Sequence, residues 1–180
     1  MPETDVIDVI KAQHQQVARL LTEVAVATGD ALEESFCELR RMIAVHETAE
    51  EEIVYPTIRL GGAEGKRVAD ARTAEEAEGT KVLAQLEGMK PGSADFSALF
   101  SKFRTAVVSH AEAEESSVLP LLRSQETAEA LRRMARTFEL AEKAAPTHAH
   151  PHIGTSAAGN IITGPALAIV DHVRDALRKT

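Results

Sequence analysis

Two stretches of this 180-residue chain repeat the pattern His-x-x-x-Glu: His46 with Glu50, and His110 with Glu114. On a helix, four residues overshoot one turn by only about 40°, so both side chains project from one face, one turn apart. Imidazole and carboxylate are ligands for iron, manganese and zinc. Both pairs fall on apolar seams, the first running Leu39, Ile43, His46, Glu50, Ile53 and the second Phe103, Val107, His110, Glu114, Ser117, Leu121. Burying a carboxylate among aliphatic side chains is costly unless it is paired or bound to a cation. Neither seam carries a lysine or arginine, so a divalent or trivalent metal ion is the expected partner. His14 stands on a third seam with Ile10, Val17, Leu21 and Val24. Glu76 precedes Leu83 by the same interval that separates His14 from Leu21, which makes it the candidate from the remaining helix. Tyr55, the only tyrosine, stands just before Pro56, where the second copy has Leu119.

These residues need long helices to hold them, and the apolar spacing is helical almost everywhere. Helices are predicted over about 5–28, 31–60, 64–89 and 93–123, with Thr4 or Asp5 as the first cap and Gly29, Gly61-Gly62 and Pro91-Gly92 as breaks. Connections this short make consecutive helices antiparallel. Pro56 and Pro120 each predict a kink or an early stop. VHETAEEEIVYPTIR, Val45 to Arg59, lies over SHAEAEESSVLPLLR, Ser109 to Arg123, at an offset of 64 with seven of fifteen positions identical. Two copies of one hairpin, packed about a pseudo-twofold axis, bring two acid–imidazole pairs together. The expected fold is all-α: an up-down antiparallel four-helix bundle over residues 1–123, with a C-terminal helical extension over 124–180 packed outside it. Within that extension a helix is predicted over about 127–144, a Pro/His-rich loop at 146–159 and a last helix over about 165–179.

Composition narrows the partners. With 44% hydrophobic and 27% charged residues, the chain is ordinary for a folded domain. A net charge of −8 without a basic run argues against nucleic acid or an anionic membrane. The single cysteine, Cys37, excludes a disulfide framework and a multi-thiolate metal site, and reads as a small buried hydrophobe. No signal-peptide layout opens the chain and no apolar run approaches a membrane span, so a cytoplasmic monomer or homodimer is expected. Glu47, Glu51, Glu52, Glu112 and Glu115 read as solvated charge, as do Glu75 and Glu78.

With His14, His46-x-x-x-Glu50 and His110-x-x-x-Glu114 in order on separate helices, the sequence resembles the hemerythrin-like (HHE cation-binding) family over roughly residues 5–123. His14, inside VIKAQHQQV, matches the first-helix histidine; HETAEEEIVYP and HAEAEESSVLP match the two histidine/glutamate stretches with their following proline. The resemblance implies a four-helix bundle holding two non-haem iron ions, joined by an oxo or hydroxo bridge and by carboxylates, with Glu50 and Glu114 as the bridges. The chain departs from the family at helix three, where a further histidine is usual and Ala-Glu-Glu-Ala-Glu stands instead. The expected metal ligands are therefore His14, His46, Glu50, Tyr55, Glu76, His110 and Glu114. Exchanging imidazole for carboxylate, and adding a Tyr55 phenolate, favours Fe(III) over Fe(II). A ferric resting state suits hydrogen peroxide or nitric oxide better than O2 storage. The expected function is catalase-like decomposition of peroxide, reaction with nitric oxide, or both, in oxidative or nitrosative stress defence. Two alternatives stay open: a domain that binds or senses O2, NO or iron without turnover, and a metal-free helical adaptor.

Overall fold

A computed structural model describes residues 4–144 of the chain. The loop expected at 146–159, the helix expected at 165–179, and His148, His150, His152 and His172 lie outside the described residues. The elements are α1 (Val6–Val26), α2 (Gly29–Ala49), a π-helical turn π1 (Glu50–Val54), α3 (Tyr55–Leu60), α4 (Ala63–Glu87), α5 (Ala94–Ala113), a second π-helical turn π2 (Glu114–Val118), α6 (Leu119–Gln125) and α7 (Ala128–Ala144). Among the described residues there is no strand, and no helix is long and apolar enough to cross a membrane.

Local chemistry sets the helix ends. Asp5 caps α1 by accepting from the Ile7 and Asp8 amides, and the Asp8 carboxylate accepts the Asp5 amide in return. Ser93 caps α5 by accepting from the Phe96 amide at 3.2 Å. Gly29, expected to end the first helix, instead opens the second: α1 stops at Val26, and Gly29 takes the left-handed φ of +58° that starts α2. Gly65 is needed for its missing side chain, because a Cβ there would lie 1.8 Å from the Ile58 carbonyl oxygen where α4 turns back on α3.

The prolines do not break their helices. The Tyr55 amide bonds the Glu50 carbonyl and the Leu119 amide bonds the Glu114 carbonyl, five residues back instead of four. Pro56 and Pro120 lack the N–H that a regular ladder would use, and their rings crowd the preceding turn. Widening each helix by one residue relieves both problems, so the chain passes through where a kink or stop was expected.

Two apolar clusters reveal the path of the helices. Ile10 on α1, Ala49 on α2, Ala69 on α4 and Val118 on π2 belong to one cluster, while Val17, Ile43, Leu83 and Phe103 belong to the other. The chain thus runs from first to second cluster along α1, back along α2, and repeats the trip along α4 and α5. That is an up-down antiparallel four-helix bundle. α7 packs against α1, with Leu131, Ala135 and Phe138 buried in the first cluster. Between the clusters, at mid-height on every long helix, lies a layer of buried polar side chains: Gln13, His14, His46, Glu50, Glu76 and Glu114.

Candidate metal centre

Each long helix delivers its polar residues to that middle layer. α1 presents His14, α2 presents His46 with Glu50 at the start of π1, α4 presents Glu76, and α5 presents His110 with Glu114 at the start of π2. Glu50 and Glu114 are fully buried. His14 Nε2 lies 3.2 Å from Glu114 Oε2, and His46 Nε2 lies 3.2 Å from Glu50 Oε2. His110 Nε2 lies 3.5 Å from Glu114 Oε2 and 3.7 Å from Glu76 Oε1. Two groups of four donors result, His14/His46/Glu50/Glu114 and Glu50/Glu76/His110/Glu114, each with ligand atoms within 4.8 Å of one another. The groups share Glu50 and Glu114.

Tyr55 joins this layer through the π-turn. Its amide bond to Glu50 stacks it over that residue, on the face directed inward, and its side chain is fully buried. The hydroxyl lies in hydrogen-bond contact with Glu76 and 2.5 Å from Glu114 Oε1. A phenol has one proton to give, and the ionised Glu114 is the stronger acceptor. Glu76 Oε1 accepts from the same hydroxyl, which is shared between the two carboxyls.

All three imidazoles are held from behind. Nδ1 of His46 is 2.8 Å from Gln13 Oε1, Nδ1 of His14 is 2.9 Å from Glu115 Oε1, and Nδ1 of His110 is 3.0 Å from Glu75 Oε2. With Nδ1–H donating outward, each ring turns the Nε2 lone pair into the cluster, the arrangement that outer acceptors impose on metal-binding histidines.

Glu75 and Glu115 are expected on solvated faces. Both are indeed exposed, yet each curls one oxygen back onto a ring. Glu47, also read as solvated, is half-buried in the wall of the site. Gln13 was missed. Its place three residues after Ile10 and four before Val17 on the α1 seam was the available signal. Glu78 pairs on the surface with Lys81, and Cys37 is half-buried on α2 away from the cluster.

The charges of these side chains do not balance. Burial, then Glu114 and Glu76, pushes Glu50 well above the usual carboxylate range. Burial pushes Glu76 up to about 9, overcoming the lowering bond from Tyr55. Burial also works against ionisation of Glu114, but the His14 imidazole 3.2 Å away, then the His110 and His46 charges, hold it down at about 2. His46 is pushed down to about 3 by burial and then by His14. His14 is pushed down by burial and raised further by Glu114 and Glu115, ending above its ordinary value. Burial first, then the carboxylates Glu50, Glu114 and Glu76, holds the Tyr55 phenol protonated. The cluster therefore keeps protons on Glu50 and Glu76 that a cation would displace.

Orphaned atoms test whether the residues fit a metal. Both oxygens of Glu50, Oε2 of Glu76, Oε2 of Glu114, and Nε2 of His14 and His110 are buried without a hydrogen-bond partner. Among the described residues, the ion-pair partners of Glu50, Glu76 and Glu114 are imidazoles only. Six buried ligand atoms without a hydrogen-bond partner, converging on one layer, fit a cation. A cavity of about 680 Å³ opens from this layer between the long helices.

Comparison with known proteins identifies the family. Residues 5–122 match the hemerythrin HHE cation binding domain family. An uncharacterised hemerythrin-like protein of Schizosaccharomyces pombe is 28% identical over 76% of this chain and 68% of its own length. A DNA nickase of Nostoc is 26% identical over 87% of this chain, which spans only 43% of that protein. A solved hemerythrin HHE cation binding domain-containing protein from Mycobacterium kansasii shares the fold, with a TM-score of 0.68 at 18% identity over 76% of this chain and 83% of that one.

Proposed function

On the premise that this chain belongs to the hemerythrin HHE cation-binding domain family, we propose that it is a diiron protein that disproportionates hydrogen peroxide. The observation that carries the reading is the pair of donor groups sharing Glu50 and Glu114, each completed by histidines whose Nδ1 is tied from behind. His14 and His46 would hold one ion, His110 and Glu76 the other, with Glu50 and Glu114 between them and Tyr55 beside the second.

Three carboxylates and a phenol against three imidazoles make a donor set that favours the ferric state. When bound, an iron pair supplies the two-electron exchange that converts two molecules of peroxide into two of water and one of oxygen. The chain's own residues orient and exchange protons. The apolar walls beyond the cluster limit the water that reaches it, and Glu47 beside His46, its carboxyl pushed up to about 8 by burial and then by Glu51 and Glu114, is placed to exchange a proton with an incoming peroxide. Nitric oxide, small and neutral, can use the same cavity.

DNA nicking is not carried over from the Nostoc relative. A net charge of −8, with Glu47, Glu75, Glu78, Glu112 and Glu115 around the cavity, repels a phosphate backbone.

The test is oxygen evolution. Iron-loaded protein is expected to release oxygen from hydrogen peroxide, with one O2 for every two peroxides consumed. Glu114→Ala is expected to lose both iron and activity. Oxygen release no faster than from the same amount of free iron overturns the reading. A stable, reversible spectral change on oxygenation, without turnover, replaces it with a carrier or sensor.

A further inference from the structure

The cavity that opens from the His/Glu layer is larger than hydrogen peroxide needs. A molecule of two oxygens occupies little more than the roughly 30 Å³ of a water. The cavity holds about 680 Å³, within the range of roughly 300–1,000 Å³ typical of sites for small organic ligands. Leu21 on α1, Ile43 on α2, Val82 on α4, and Leu99, Phe103 and Val107 on α5 form its walls. These walls are apolar, so an occupant with an apolar body is favoured over water.

The rim selects by charge. Glu47, Glu75, Glu78, Glu112 and Glu115 line the opening with Lys102, and Arg72 and Lys81 pair with Glu75 and Glu78 from outside it, so acids still outnumber cations. That excess of carboxylates repels an anionic amphiphile and admits a neutral one. The inner end is the cluster itself, reached past His14, His46, Glu76 and His110.

We propose that this cavity binds a neutral, apolar organic hydroperoxide, with its body on the aliphatic walls and its O–O group at the His/Glu layer. The inference rests on the peroxide reading and names a second substrate class for the same site. The balanced reaction is ROOH + H2O2 → ROH + O2 + H2O. The hydroperoxide O–O bond breaks as it gains two electrons and two protons. Hydrogen peroxide is oxidised, giving up those electrons and protons and leaving as oxygen.

The test uses the full-length iron-loaded protein and begins with binding. Calorimetric titration with 2-phenyl-2-propanol, the alcohol left by cumene hydroperoxide, is expected to give saturable binding. Its para-carboxylate analogue is expected to bind about tenfold more weakly or worse, because of the acidic rim. Val82→Trp and Leu99→Trp, which fill the cavity from different helices, are each expected to weaken alcohol binding about tenfold or more. Cumene hydroperoxide supplied with hydrogen peroxide is expected to give the alcohol, with one O2 per alcohol added to the oxygen that the remaining hydrogen peroxide releases by itself. Both tryptophan variants are expected to lower that reaction about tenfold or more relative to their own oxygen evolution from hydrogen peroxide alone. Iron content and melting temperature report whether each variant is folded, and either one alone suffices for the comparison. Oxygen evolution from hydrogen peroxide without alcohol binding overturns this inference and leaves the reading beneath it standing. Equal cumene hydroperoxide turnover in parent and filled variants does the same. Alcohol binding without any oxygen evolution overturns the hydroperoxide assignment together with the peroxide reading.

Discussion

Gln13 illustrates how little of a buried histidine's environment lies in the histidine itself. Its Oε1 accepts from His46 Nδ1 at 2.8 Å and so aims the ring's free lone pair at Glu50. Gln13→Leu is expected to lower iron affinity about 10–100-fold with the fold intact, as measured by chelator competition. Gln13→Glu, which restores an acceptor, is expected to recover most of it. An unchanged affinity in Gln13→Leu would mean that the ring is held by packing alone. At Tyr55 the prediction is spectroscopic: the ferric protein should show a visible phenolate charge-transfer band, and Tyr55→Phe should abolish it. The central histidines and glutamates were legible because a charged or titratable residue on an apolar seam is conspicuous. Glu75 and Glu115 were not. They sit one residue from the inward-facing positions, about 100° around the helix, where exposure is the correct reading and says nothing of a carboxylate reaching back.

At the scale of elements, helical periodicity located all four long helices to within a few residues, because their seams are continuous. The exceptions have local causes. Gly29 was read as a stop from its type alone, but its left-handed φ serves the start of α2. The π-turns were invisible because a count of residues per turn assumes the regular ladder. Prolines mark where that assumption fails without saying whether the helix stops or widens. Two glycines of α4 give opposite predictions. Gly65→Ala forces a Cβ onto the Ile58 carbonyl oxygen and is expected to cost about 2 kcal/mol or more. At Gly79, in open space on the same helix, alanine is expected to stabilise by about 1 kcal/mol. Urea denaturation of the two variants should move the midpoint in opposite directions, and a shift of the same sign would contradict the close α3–α4 approach.

For the molecule as a whole, the middle polar layer sets a pH dependence. After metal removal, folded Glu76 keeps its proton up to about 9, whereas an unfolded glutamate releases it near 4.5. Glu50 shifts in the same direction. Folding therefore retains protons that unfolding gives up, and stability falls as pH rises. His46, held at about 3, acts with the opposite sign below its ordinary value of 6.5 and no longer contributes above it. The clear window is thus pH 7 to 9, where the metal-free protein should lose up to about 1.4 kcal/mol per pH unit for each retained proton. Iron-loaded protein, whose carboxylates have already given up those protons, should show a nearly flat profile in urea melts over the same range. A flat profile in both forms would mean that the buried glutamates ionise freely.

The two widened turns begin at Glu50 and Glu114, the same point in each half of the internal repeat. An irregularity shared by both halves is more simply inherited once than acquired twice, as duplication of one ancestral hairpin would leave it. That hairpin held a single imidazole–acid pair on its second helix, half of what the present pocket contains. Before duplication and fusion, a working pocket would have required two separate chains to meet. The present protein is then a pair of partners that became one polypeptide, and its two halves were free to diverge only afterwards, with tyrosine kept on one side and leucine on the other.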